Sequence, residues 1–197
     1  MRDNDALVNY LVEKGSIETE KVERAFRNVD RKDFVPEKFT GKAYEDRPLP
    51  LDTGSTISAP SMVAVATELL EVQETDKVLE IGSGSGYQAA ILAELSDEVV
   101  GIEILKQLVD KSRENIDREN VDIRAGNGFE AVGKEEFFDK IIYSCAVKDF
   151  DDGVKHLTEE GVIVGPVEEN GKQTLKRYSE GKTTEHGRVR FVDFVEE

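Results

Sequence analysis

The run Val78-Leu79-Glu80-Ile81-Gly82-Ser83-Gly84-Ser85-Gly86-Tyr87 constrains this chain more than any other stretch. An apolar strand leads directly into three glycines at alternate positions, and a helical run follows. Glycine is needed there because the backbone must turn sharply and let a ligand lie against it without a Cβ in the way. The helix beyond the loop presents unpaired N–H groups at its first turn.

The rest of the chain repeats this strand–helix alternation. Lys77–Ile81 reads as a short buried strand, Gly82–Gly86 as a tight loop and Tyr87–Leu95 as a helix. Val99–Glu103 is the next strand, followed by a polar helix from about Leu105 to Asp117. Val121–Arg124, Lys140–Ser144 and Gly161–Val167 continue the series. Repeated β-α units predict a parallel sheet with right-handed crossovers. Gln173–Tyr178 and Arg188–Val195 read instead as antiparallel strands around a turn at Gly181.

Ahead of this core, Val22, Ala25, Phe26 and Val29 have the spacing of one helix face. Pro36 ends whatever helix precedes it. Residues 43–60 have no clean period and read as an extended, turn-containing loop. Pro60 then opens a helix through Met62, Val65, Ala66, Leu69 and Leu70. The expected organisation is α/β: a doubly wound, mostly parallel, Rossmann-like sheet with N-terminal helices and C-terminal antiparallel strands. One domain is expected over 1–197, with a helical and loop segment at 1–75 and a cofactor-binding core at 76–197.

The glycine spacing bears on the ligand. Dinucleotide folds usually show G-x-G-x-x-G, where the helix end receives a pyrophosphate. Here the spacing is G-x-G-x-G, and Glu80 precedes it. A carboxylate at that place suits a ligand bearing an amino group and a sulfonium, and it opposes a pyrophosphate. Glu103, with Ile104 after it, stands at the end of the next strand, placed to accept hydrogen bonds from ribose hydroxyls. Glycines between a strand and a helix could merely make a turn. Glu80 and Glu103 together favour a nucleoside-type ligand held by Gly82, Ser83, Gly84 and Gly86. Farther on, Asn127 and Gly128 of Gly126-Asn127-Gly128 read either as an ordinary turn or as a contact to an adenine edge.

Composition narrows the partners. The chain has 197 residues, with 42 Asp plus Glu against 26 Lys plus Arg, a net charge of −16. That field repels nucleic-acid backbones, so no nucleic acid is expected as substrate. The excess reads either as a strongly solvated surface or as adaptation to a salt-rich interior that screens self-repulsion. No stretch approaches the roughly 20 apolar residues of a membrane span, and the N-terminus lacks the apolar region of a secretory signal. A single cysteine, Cys145, points to a reducing cytoplasm. It follows Ile141-Ile142-Tyr143 and reads as a buried, inert thiol. One cysteine and the distant His156 and His186 give no metal-ligand spacing.

Several segments together resemble the protein-L-isoaspartate O-methyltransferase family, within the class I methyltransferases. Val29-Asp30-Arg31-Lys32-Asp33-Phe34-Val35-Pro36 is similar to its N-terminal signature, and the run from Ala43 to Leu51 with Thr56-Ile57-Ser58-Ala59-Pro60 resembles its substrate loop. Val78 to Leu95 resembles its cofactor motif, and Gly187-Arg188-Val189-Arg190-Phe191-Val192 its closing strand. The resemblance implies methyl transfer from S-adenosylmethionine to the α-carboxylate of an L-isoaspartyl residue in an aged protein or peptide. The ester then closes to a succinimide, whose hydrolysis returns some normal aspartate. It further implies Ser58 as the catalytic residue, orienting the substrate carboxylate with help from backbone groups of Thr56 and Ile57. Ser58 also stands where a helix N-cap would, just ahead of Pro60.

The chain departs from the family pattern in the acceptor region. Ser61 stands where the family usually has histidine, Asp52-Thr53-Gly54-Ser55 replaces a G-H-G-Q-like run, and Asn127 replaces an aspartate. Two alternatives therefore stay open: a related methyltransferase with another acceptor, and a non-catalytic paralogue that binds the cofactor. The oligomeric state is open too, a monomer being compatible with the sequence.

Overall fold

The computed structural model describes residues 1–194. In chain order the elements are α1 (Asn4–Glu13), α2 (Glu20–Asn28), β1 (Leu49–Pro50), β2 (Thr56–Ile57), α3 (Pro60–Leu70) and β3 (Lys77–Ile81). Then come α4 (Tyr87–Ala93), β4 (Glu98–Glu103), α5 (Lys106–Asn115), β5 (Val121–Ala125) and β6 (Phe138–Tyr143). The last are α6 (Asp151–Val154), β7 (Leu157–Glu169), β8 (Lys172–Ser179) and β9 (Lys182–Val189). Short 3₁₀ turns occupy Arg31–Phe34, Glu37–Lys42 and Gly128–Ala131.

Seven strands form one sheet in the order β5-β4-β3-β6-β7-β8-β9. The first five in that order pair in parallel, and β8 and β9 extend the sheet antiparallel. The chain moves outward from β3 through β4 to β5, then returns to lay β6 on the other side of β3. That reversal opens a crevice at the carboxyl ends of β3 and β6, where ligands of open α/β sheets bind. The strands are apolar on both faces because both faces are covered. Val78, Val99, Ile142 and Val164 pack with α1–α5 on one side, and Leu79, Val100, Ile141 and Ile163 face the second core on the other.

The N-terminal helices start where local chemistry allows. Asp3 caps α1 by accepting from the Ala6 amide at 2.9 Å. Thr19 caps α2 and is itself held by Glu68, which accepts from the Thr19 amide at 2.9 Å. Pro60 occupies the first position of α3, where its missing N–H costs nothing.

The core strands lie where the alternation places them, with shifts at their ends. The helix expected to reach Leu95 ends at Ala93, and the strand expected from Gly161 begins at Leu157. Helix α1 follows no clear sequence signal. The last strand is displaced: β9 is Lys182–Val189, not Arg188–Val195. Val195 lies outside the described residues. Residues 190–194 instead cross to the loop after β6, where the Ala146 amide donates to the Val192 carbonyl and Phe194 donates to the Ala146 carbonyl, both at 2.8 Å. No helix among the described residues is long and apolar enough to cross a membrane.

Candidate active site

Ile81 delivers the chain into a loop whose glycines 82, 84 and 86 all have positive φ, at 85°, 53° and 85°. The amides of Gly82 and Ser83 both donate to the Ile102 carbonyl, which ties the loop to the end of β4. Glu103 finishes the job. Its Oε2 accepts from the Gly84 amide and its Oε1 from the Leu105 amide, both at 2.9 Å. Glu103 is buried, and each of its two oxygens accepts one amide here, which leaves acceptor capacity on both for hydroxyl donors.

Beside this loop lies a cavity of about 570 Å³. Of the residues singled out in the sequence as cofactor candidates, Gly82, Gly84, Glu103, Ile104, Asn127 and Gly128 line it. Asn127 precedes the 3₁₀ turn without capping it by its side chain. Ser83 and Gly86 are set back: Ser83 lines a smaller chamber behind the loop, and Gly86 packs on α5.

That smaller chamber holds Glu80, Ile57, Ser58 and Gln88. Glu80 is 1 % exposed; its Oε1 accepts from the Ser144 hydroxyl at 2.7 Å, and its Oε2 has no partner among the described residues. Burial, with the nearby Glu103 charge adding to it against the Ser144 bond, pushes the Glu80 carboxyl up to about 8. Ser83 Oγ and Thr53 Oγ1 are also buried without a partner. Unpartnered buried polar atoms carry a desolvation cost that a ligand with matching groups would remove. Glu80 in the smaller chamber, with Glu103 and Asn127 in the 570 Å³ cavity, offers hydrogen-bonding groups of the kinds that the amino group, ribose hydroxyls and purine edge of S-adenosylmethionine require.

A third cavity, of about 590 Å³, opens beside the first. Ser58, Ala59 and Met62 form one side of it, and Arg188 and Arg190 line it too. Thr56, Ser144 and Val192 line both large cavities and so form the wall between them. Hairpin β1–β2 sets Thr56 there, because Ile57 pairs with Leu49 and buries its side chain. Ser58 does not cap α3. The N-cap is Ala59, and Asp46 accepts from the Ser61 amide at 2.9 Å instead.

Several contributors escape the sequence reading. Ser144 has no motif of its own, although the rule that ligands sit at strand ends beside a topological reversal would find it. Val192, Asp193 and Phe194 close one side of the 570 Å³ cavity. Gln173 holds that segment, its Nε2 donating to the Phe191 carbonyl at 3.2 Å and its Oε1 accepting from the Phe191 amide at 2.6 Å. Cys145 is buried, its thiol pushed up to about 12, and it packs against the loop as an unreactive wall. His156 stacks on Phe129 at 5.1 Å and His186 lies exposed on β9, both away from the three cavities.

A seven-stranded sheet closed by an antiparallel pair, with a carboxylate-flanked glycine loop at its point of reversal, is the architecture of the class I methyltransferases that use S-adenosylmethionine. Within that class the match is specific. Residues 1–197 match the family model described as Protein-L-isoaspartate(D-aspartate) O-methyltransferase, and the chain belongs to that family. It is 39% identical over 202 residues to the protein-L-isoaspartate O-methyltransferase of Methanoculleus marisnigri, covering 98% of this chain and 92% of the relative. The enzyme of the same name from Pyrobaculum islandicum is 39% identical over 198 residues, covering 96% of each. Among solved structures, a Plasmodium falciparum protein described by the same activity, in complex with S-adenosyl-L-homocysteine, superposes with a TM-score of 0.88. It is 27% identical, and the alignment covers 99% of both chains.

Proposed function

We propose that this chain methylates the α-carboxylate of L-isoaspartyl residues in damaged proteins and peptides, with Ser58 as the catalytic residue. The observation that carries the reading is the shared wall: Thr56 and Ser144 separate a cavity suited to the methyl donor from one lined by Ser58, Arg188 and Arg190. The bound cofactor supplies an electrophilic methyl group on a sulfonium.

The chain's own residues do the rest. A carboxylate acceptor has a reference pKa of about 3.9, so it arrives ionised and needs no general base. That agrees with histidines that stand away from the cavities. Arg188 and Arg190 supply a cationic lining that draws a carboxylate into an otherwise acidic molecule. Ser58 donates a hydrogen bond that orients it, with backbone groups of Thr56 and Ile57 assisting. Glu80, Gly82, Ser83, Gly84, Gly86, Glu103, Ile104, Asn127 and Gly128 hold the donor. Holding two reactants in line and excluding water supplies the rate, since no proton has to move.

We infer that segments 1–75 and 76–197 act as one domain, because Thr56 of the first lines both large cavities. A single cysteine fits a cytoplasmic location, and the charge of −16 argues against nucleic-acid partners.

The test is methyl transfer from labelled S-adenosylmethionine to a synthetic isoaspartyl peptide, with the aspartyl peptide as control, at low and molar salt. Labelling of the isoaspartyl peptide alone is expected. Cofactor binding without labelling of either peptide at either salt would sink the assignment. Ser58→Ala should retain measurable turnover, with kcat lowered about 10–100-fold and cofactor affinity unchanged, since one positioning donor is lost.

A further inference from the structure

The most anomalous buried group lies outside both large cavities. Arg31, in the 3₁₀ turn Arg31–Phe34, is 0% exposed, and among the described residues no carboxylate is hydrogen-bonded to its guanidinium. Its partners are four backbone carbonyls. Nη1 donates to Ala43 at 2.5 Å and Glu45 at 3.4 Å; Nη2 donates to Arg47 at 3.1 Å and Ser58 at 3.0 Å. Burying a cation without a paired anion is costly, and an apolar side chain of similar volume would usually serve a core better.

We propose that Arg31 is the positioning residue of the acceptor loop, its fork gripping the 43–47 bend and the Ser58 carbonyl together and so setting where Ser58 presents its hydroxyl. The inference rests on the reading of Ser58 given above.

The geometry explains why arginine is used. Carbonyls at alternate positions 43, 45 and 47 all accept from one planar group, and the Asp46 side chain is engaged elsewhere. Asp46 then accepts from the Ser61 amide at 2.9 Å and pairs with Lys14 at 2.8 Å. Ser58 is thereby bracketed: Arg31 fixes its own carbonyl, and Asp46 fixes the amide three residues on. A planar guanidinium with five donors can serve four carbonyls at once, whereas an ammonium offers three donors from one point. Burial lowers the Arg31 pKa to about 10, so the group stays charged at neutral pH. The cofactor loop draws its hydrogen bonds from Ile102 and Glu103, which do not touch this network.

That separation gives the test. Arg31→Lys and Arg31→Met are compared with the unaltered protein for kcat and KM on an isoaspartyl peptide, for S-adenosylmethionine Kd, and for amide hydrogen exchange. Both variants should lose roughly 10–100-fold in kcat/KM, the usual scale for a misplaced reactant, Lys less than Met. Cofactor Kd should change by only about twofold, since Thr56 is the one donor-cavity residue in the loosened stretch and the glycine loop and Glu103 keep their own hydrogen bonds. Exchange should quicken at residues 56–61 and remain unchanged at residues 82–86. Unchanged kcat/KM and exchange would overturn the proposal. So would a parallel loss of cofactor binding, or failure of both variants to fold, either of which makes Arg31 a general core residue. The exchange readout needs no acceptor. If the unaltered protein labels no isoaspartyl peptide, the functional reading fails while unchanged exchange at 56–61 still decides against Arg31.

Discussion

Glu80→Gln is expected to weaken S-adenosylmethionine binding by about 100-fold while making the ligand-free protein more stable, because one buried charge drives both effects. Glu80 lies 1 % exposed with one oxygen unpartnered, and its carboxyl is pushed up to about 8, mainly by burial. The sign follows from linkage. Against an ordinary glutamate value of about 4.5, the folded chain holds this proton more tightly than the unfolded chain does. Stability is therefore full below about 4.5 and is lost as pH rises toward 8. Glutamine removes that loss and keeps an oxygen to accept from Ser144. The gain should be on the order of 2–4 kcal/mol at pH 8 and near zero at pH 4.5. Binding runs the other way, since the ionised carboxylate is the form that receives a cationic amino group. Wild-type affinity should tighten as pH rises from 6 to about 8, and the Glu80→Gln affinity should stay flat. Calorimetric titration and thermal melts across that range measure both. Equal affinities with the same pH slope would remove Glu80 from the cofactor site.

Gly86→Val should be more damaging still. Gly86 has a φ of 85°, and a Cβ built there would lie 2.7 Å from Ile116 Cδ1 and 3.1 Å from Ser112 Cβ. A β-branched residue in left-handed backbone costs about 1–3 kcal/mol, and forcing a carbon into that contact adds about 1–3 more. At roughly 2–4 °C per kcal/mol for a chain of this size, a melting temperature lower by about 10 °C is expected. Cofactor binding should become undetectable, because the loop cannot turn and pack on α5 together. Gly84→Ala is the comparison: its φ is also positive, but the nearest atom to a new Cβ is 3.9 Å away. It should cost only about 1–2 kcal/mol. A Gly86→Val protein that melts and binds like Gly84→Ala would contradict the packing argument.

These two residues lie in the stretch that is most legible in sequence. Lys77–Ile81 is a strand as expected because an apolar run buried on both faces, ending in glycine, has few other ways to fold. The displaced last strand has the opposite cause. Lys182–Val189 is almost wholly exposed at the sheet edge and shows no apolar alternation, so β8 recruits it through the turn at Gly181 alone. The more strand-like Val189–Val192 run lines the 590 Å³ cavity, and its last residue also lines the 570 Å³ one. Helix α1 escapes notice because Tyr10 and Val12 are exposed and blur the stripe formed by Leu7, Val8 and Leu11.

The candidate site divides in the same way. The proposed cofactor residues sit at or just past the ends of β3, β4 and β5, so their spacing from each strand carries meaning. Acceptor residues come from 31, 46, 56–61, 144 and 188–190, and only folding brings them together. Ser58 is legible by family resemblance, but the network around it is not. No local pattern tells that Arg31 points at carbonyls 12 to 27 positions away.

The bond between Asp46 and residue 61 uses the main-chain N–H, so it constrains where that residue sits and leaves its side chain unspecified. For laboratory evolution this makes position 61 a natural randomisation site. It stands next to Met62, which lines the 590 Å³ cavity, the helix start survives most side chains placed there, and the glycine loop is built elsewhere. A library at 61 would explore new acceptors on an otherwise intact methyl-transfer scaffold.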